Sequence, residues 1–396
     1  MNSFYAEYKA KTISPDDAVS LVKSGDHLVM GCGVAGPVLV QRRLHQAAAW
    51  ATDVRILSDM AEEDYPYLTD PHCKGRFLID CLFCTAPERK ALALGMASYL
   101  PAHLPKSAEF WMDNYPPDLF YGVATPMDEQ GNLRLAPCLN VEKDACERAK
   151  TVVLEVNPNQ PVAFGDTVVN IRDVDYVIES NEPMKYIPRG EPDEKSQTIG
   201  RYIAELVHDG DTLQLGIGGI PDAVAACLAD KHELGIHTEM ITDSMAALAQ
   251  AGVITNSRKT LHRGKMVGSF TFGSPELYAF INGNPDVEFY RPRILVDPRY
   301  MCQNDNMVSV NTAFSCDLSG QVSAEAIGTR QYSGTGGQVA TVLGSVWAKN
   351  GRSIIAIRST ANTKNGVVSN IKAIHEAGTV VSLSRNDVDL VITEYG

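Results

Sequence analysis

The chain has 396 residues, 44% of them apolar and 21% charged, with a formal net charge of −13. That length exceeds the size at which a single core usually stops growing, so two domains are expected, and the apolar content excludes a disordered chain. The negative charge, with no basic cluster to offset it, excludes nucleic acid as a partner; an anionic ligand must be held by backbone N–H groups, helix N-termini or a few local cations.

Residues 1–11 mix charged and aromatic side chains without the apolar segment of a signal peptide, and no run of about 18 apolar residues follows, so no membrane partner is expected and the location is read as cytoplasmic. From Ala18 to Gly33 the pattern runs helix, turn at Gly25-Asp26, short apolar strand and glycine turn. Cys81 and Cys84 form a C-x-x-C with no second pair and no nearby histidine cluster. The nine cysteines therefore read as free thiols, and neither a disulfide framework nor a metal is expected. Thr151 to Val156 is a continuous β-branched run, as in a strand buried on both faces of a parallel sheet. Pro183 to Lys195, with Pro188, Gly190 and Pro192 among charged residues, reads as a linker and sets domains of 1–190 and 191–396.

The second half repeats the rhythm. Ile199 to Val207 is helical, Gly210-Asp211 a turn, Thr212 to Leu215 a strand, and Pro221 opens a helix through Ala223, Val224 and Leu228. Between strand and helix lies Gly216-Ile217-Gly218-Gly219-Ile220-Pro221, which serves either as a tight turn or as a set of N–H donors for an anion or oxyanion; Pro221 stands where a dinucleotide fingerprint needs its third glycine. Leu234 to Ile241 reads as a strand ending at the helix start Thr242-Asp243-Ser244, which puts Glu239 at a strand's carboxyl end beside that loop. Glu325 is the rival carboxylate, close to a second glycine loop, Ser333 to Gln338, and His237 is either a base for Glu239 or a structural histidine. Ser353 to Ile357 and Thr379 to Leu383 complete the expected strands.

The halves match each other. Ala18 to Gly33 aligns without gaps on Ile203 to Gly218 at an offset of 185, Asp128 to Gly131 corresponds to Asp317 to Gly320, and Asp173 to Glu179 to Asp387 to Thr393. Ordered matches over units this long indicate domain duplication, so the expected architecture is α/β with two similar open, largely parallel-sheet domains.

Gly216 to Pro221, His237-Thr-Glu-Met240, Leu277-Tyr278 with Asn284-Pro285, Ser309 to Ala313, Asp317 to Gln321, Gly334 to Gln338 and Val391 to Gly396, in that order, resemble the acetyl-CoA hydrolase/transferase branch of the family I CoA-transferases, especially those acting on 4-hydroxybutyrate or butyryl-CoA and acetate. The resemblance implies CoA transfer between a short acyl-CoA and a carboxylic acid through a glutamyl-CoA thioester on Glu239. It also implies that Gly216, Ile217, Gly218, Gly219, Ile220, Phe314, Gly336 and Gly337 meet coenzyme A or the oxyanion. Coenzyme A is then a substrate, no tightly bound cofactor is expected, and a homodimer or higher homo-oligomer is. An acyl-CoA hydrolase on the same framework and a non-catalytic CoA-binding subunit are the alternatives. Asn370 and Ala340 depart from the arginine and aspartate common in the family, and relatives continue past the motif that ends at Gly396.

Overall fold

Short β-branched runs pair into two parallel sheets, seen in a computed structural model that describes residues 3–186, 192–364 and 366–396. The first has seven strands in the order Tyr176–Glu179, Thr151–Val156, Leu119–Ala124, His27–Met30, Val54–Leu57, Phe77–Cys81 and Ala97–Tyr99. Every neighbouring pair is parallel. The second has five, also all parallel: Gly235–Ile236, Thr212–Leu215, Met307–Thr312, Arg352–Ala356 and Leu390–Ile392. Read outward from the glycine loops, these five occur in the same spatial and chain order as five strands of the first sheet. That is the duplicated architecture the sequence predicts.

The repeat persists down to single hydrogen bonds. Asp26 accepts from the Lys23 N–H and Asp211 from the His208 N–H, both at 2.7 Å, each beside a glycine with positive φ. Asp128 accepts from the Gln130 and Asn132 N–H groups, and Asp317 from those of Ser319 and Gln321. Asp175 caps the N–H of Val152 and Asp389 that of Ser353. Asx-type turns recur because a short carboxylate satisfies backbone donors that the turn leaves unpaired.

Helix Glu194–Glu205 starts on Asp193, which accepts from the Ser196 N–H, and it buries Ile199, Gly200 and Ile203. Gly200 allows the close approach of helix Gly219–Ala226, since a β-carbon there would lie 2.8 Å from the Ala223 carbonyl. The Gly216 to Pro221 loop thus runs into a helix packed firmly from behind.

Two expectations change. Leu234 to Ile241 is not one strand: Gly235–Ile236 joins the five-stranded sheet, whereas Met240–Ile241 pairs with Phe270–Thr271, and the chain bends between them at His237 to Glu239. Thr379 to Leu383 is no strand either. Val381 is exposed and only Leu383 makes a bridge, to Val322, because Leu390–Ile392 fills the sheet position beside Arg352–Ala356. The predicted boundary near residue 190 lies outside the described residues. The two halves are joined: Phe164–Gly165 of the first pairs with Val287–Phe289 of the second, and one apolar core links Phe120 and Leu154 to Ile203, Leu213 and Val308. Among the described residues no helix is long and apolar enough to cross a membrane.

Candidate active site

Glu239 sits at the bend between two short strands that belong to different sheets. Its carbonyl accepts from the Ser269 and Phe270 N–H groups at 2.8 and 3.1 Å, so its backbone is fixed while the side chain is free to turn toward the carboxyl end of the second sheet. There Oε2 accepts the Gly337 N–H at 2.9 Å. Burial pushes the Glu239 carboxyl up to about 7, against the Gly337 hydrogen bond, which lowers it. A part-buried carboxylate held by a backbone N–H is a better nucleophile than a fully solvated one.

Gly337 must be a glycine. A β-carbon there would collide with the carboxylate it serves, and Gly336 before it holds φ at +54°. The following helix, Gln338–Trp347, is anchored by Gln338, whose Nε2 donates to the Thr312 carbonyl at 2.9 Å.

The first glycine loop reaches the same region along the strands. The Gly216 N–H donates to the Val310 carbonyl at 2.9 Å, and the Thr238 hydroxyl approaches the Leu215 carbonyl at 3.4 Å, one residue before the loop and one before Glu239. Asn311 Nδ2 donates to Thr341 Oγ1, and the Thr341 N–H to the Gly337 carbonyl, which ties the strand beside Gly216 to the second loop. Gly218, at φ +107°, caps helix Gly219–Ala226, and Ile217 is 53% exposed. The loop is therefore open to a ligand on its outer side. Ile220 is buried and fixes the helix start to the core.

The rival carboxylate is occupied. Glu325 Oε2 accepts from the Tyr99 hydroxyl at 2.7 Å and the Thr335 hydroxyl at 3.2 Å, and Oε1 from the Ser382 hydroxyl at 3.0 Å, in a site only 4% exposed. It ties down the loop that Gly337 ends. His237 is fully buried, with Nε2 2.7 Å from the Leu295 carbonyl and Nδ1 3.1 Å from Asn304 Nδ2, and burial drives its pKa down to about 3. That is a neutral structural histidine, and the bend turns it away from Glu239.

Gly336 and Gly337 thus meet Glu239 directly, and Gly216 to Ile220 stand beside it along the sheet. Phe314 lies farther along, edge-on against Tyr332 with ring centroids 5.2 Å apart. First-half residues that the sequence reading did not single out also reach the second loop: Leu82, Phe83, Tyr99 and Leu104. A usable signal existed, since Ile56-Leu-Ser-Asp-Met60 parallels Ile236-His-Thr-Glu-Met240 and carries the repeat up to the carboxylate.

A family model of the acetyl-CoA hydrolase/transferase N-terminal domain matches residues 1–188, and one of the C-terminal domain of the same family matches 273–396. The chain is 37% identical to the succinyl-CoA:cyclohexane-1-carboxylate CoA transferase of Geobacter metallireducens over all of this chain and 89% of that one. It is 38% identical to the 4-hydroxybutyrate coenzyme A transferase of Clostridium kluyveri over 98% of this chain and 90% of the other. Among solved structures, RipA from Yersinia pestis superposes with a TM-score of 0.92 at 30% identity, covering 100% of this chain and 91% of that one. The 4-hydroxybutyrate CoA-transferase of Porphyromonas gingivalis gives 0.82 at 33%, with the same coverage. Full-length similarity at these identities, on the fold and glycine loops described, bears out the resemblance drawn from the motifs: the chain belongs to the acetyl-CoA hydrolase/transferase family.

Proposed function

We propose that this chain is a CoA-transferase that moves CoA between a short-chain acyl-CoA and a carboxylic acid of the acetate, butyrate or 4-hydroxybutyrate type, with Glu239 as nucleophile. The observation that carries the reading is the hydrogen bond from the Gly337 N–H to the part-buried Glu239 carboxylate at 2.9 Å. Relatives that span nearly the whole chain are named as CoA transferases acting on such acids.

In the first half-reaction the Glu239 carboxylate attacks the thioester carbonyl, the C–S bond breaks, and CoA leaves as thiolate from an acyl-glutamyl anhydride. The thiolate then attacks the glutamyl carbonyl, expelling the acyl group as a carboxylate and leaving a glutamyl-CoA thioester. A second carboxylate runs these steps in reverse. Each attack passes through a tetrahedral oxyanion, which the Gly337 N–H and donors of the Gly216 to Ile220 loop are in position to steady; one such donor is worth about 3 to 4 kcal/mol of barrier. One thioester replaces another, so the exchange needs no phosphoanhydride. The distant parts of CoA supply binding energy that offsets the cost of the anhydride. The reading places the chain in the cytoplasm, where its nine thiols, all free, stay reduced.

Incubation with acyl-CoA alone is expected to leave a CoA-sized mass increase on the peptide carrying Glu239, dischargeable by hydroxylamine. Glu239→Gln should abolish both adduct and exchange, and Glu325→Gln should retain the adduct. An adduct that survives the first substitution and vanishes with the second would transfer the role to Glu325. Steady release of free acid and CoA without an adduct would make the chain a hydrolase.

A further inference from the structure

The strand registers pair His27 with Arg55 in the first sheet and Thr212 with Gly235 in the second. Counted on from those pairs, Asp59 stands in the first half where Glu239 stands in the second. Its carboxylate has a different task. It is only 9% exposed, and Oδ1 accepts the Leu82 and Phe83 N–H groups at 2.5 and 3.1 Å.

Leu82 and Phe83 form the surface on which the second glycine loop lies. A β-carbon at Gly334 would collide with the Leu82 carbonyl and stand 2.9 Å from the Phe83 Cα, and one at Gly336 would lie 3.7 Å from the Phe83 ring. Two more first-half groups hold the same loop. The Tyr99 hydroxyl donates to Glu325 and accepts the Thr335 N–H at 3.3 Å, and the Leu104 N–H donates to the Gly336 carbonyl at 3.1 Å. A segment with glycine at 334, 336 and 337 has few side chains with which to hold itself, so its geometry must be imposed from outside.

We propose that Asp59 is a positioning residue for Glu239: by fixing Leu82 and Phe83 it sets the loop in which the Gly337 N–H meets the Glu239 carboxylate, and Tyr99 is the second point of the same clamp. The inference rests on Glu239 being the nucleophile. The duplicated carboxylate has thus been kept as a support for its counterpart. Misplacing a reacting group or its donor by about 1 Å costs up to about a hundred-fold in rate, while substrate contacts elsewhere are untouched, so the clamp should show in kcat and not in KM.

The test measures steady-state exchange and the Glu239 adduct in Asp59→Ala, Asp59→Asn and Tyr99→Phe, with thermal melts alongside. Asp59→Ala should lower kcat about ten-fold or more with KM for acyl-CoA within about two-fold, and Tyr99→Phe should move kcat the same way by a smaller factor. Asp59→Asn, whose amide oxygen still accepts both N–H groups, should restore most of the rate. Wild-type kcat in folded Asp59→Ala and Tyr99→Phe would overturn the clamp, as would a rise in KM at constant kcat. If Asp59→Ala does not fold, Tyr99→Phe decides by the same split, since it keeps the ring in place. A wild-type adduct on Glu239 with unaffected variants removes only this proposal, whereas no wild-type adduct on Glu239 removes the nucleophile and the clamp together.

Discussion

The two halves carry the same loop after the same strand, yet only one is open. In the first half a β-carbon at Gly31 would run into the Ala35 carbonyl, Cys32 is 1% exposed with its Sγ 3.4 Å from that of Cys138, and Val34 is buried. In the second a β-carbon at Gly216, the counterpart of Gly31, would come no nearer than 3.4 Å, to the Val310 carbonyl, and one at Gly218 would meet nothing within 4 Å. Duplication preserved the turn that a parallel strand needs before its helix, and packing then closed one copy. Function therefore follows access and chemistry at a site and not the fold that the two halves share.

The largest effect should come from the open half. Gly337→Val puts a branched side chain where the Glu239 carboxylate lies, so exchange should fall by about a hundred-fold or more, the scale of a lost oxyanion donor, in a protein that still melts cooperatively. Full activity in that variant would mean that the second loop only connects strand to helix.

Two substitutions, one in each loop, sharpen the contrast. Gly31→Ala adds a methyl to a closed loop and should cost about 1 to 3 kcal/mol of stability by overpacking, read by denaturant unfolding, while kcat per folded molecule holds. Gly218→Ala has room but must leave φ +107°, and an exposed loop can relax instead of unfolding. Its donors then point elsewhere, and activity should drop by about ten-fold with less loss of stability. Equal behaviour of the two variants would erase the distinction between a closed and an open copy.

The duplication, the parallel strands and the two glycine loops were legible because each rests on local pattern: β-branched runs, Gly-Asp turns and glycines ahead of a helix. The bend at His237 to Glu239 was not, because an apolar stretch reads the same whether it joins one sheet or passes between two. Thr379 to Leu383 failed for a related reason, since strand propensity cannot tell which of two nearby runs will take the last place in a sheet. Glu325 and Glu239 were separable only once Tyr99, from the first half, arrived to occupy one of them. That contact depends on how the halves dock.

The last and smallest expected effect concerns pH, and it separates the paired carboxylates. Burial raises both Asp59 and Glu239 to about 7, with backbone N–H groups opposing it in each. An acid whose folded pKa is raised favours the folded state below its ordinary pKa, and that advantage is lost as pH rises from there to the folded value. Replacing Glu239 with Gln removes the loss. The variant should therefore match wild type in stability near pH 4.5 and exceed it increasingly up to about pH 7, then stay level. After allowance for partial solvent screening the plateau should be about 1 to 2 kcal/mol. Asp59→Asn should give a similar stability curve, because the physics of burial is the same. Activity should distinguish them: adduct formation in wild type and in Asp59→Asn should rise through about pH 7 as Glu239 ionises, since only the carboxylate can attack. A midpoint near pH 7 that disappears in Asp59→Asn would assign the titration to the wrong half, and with it the nucleophile's activation.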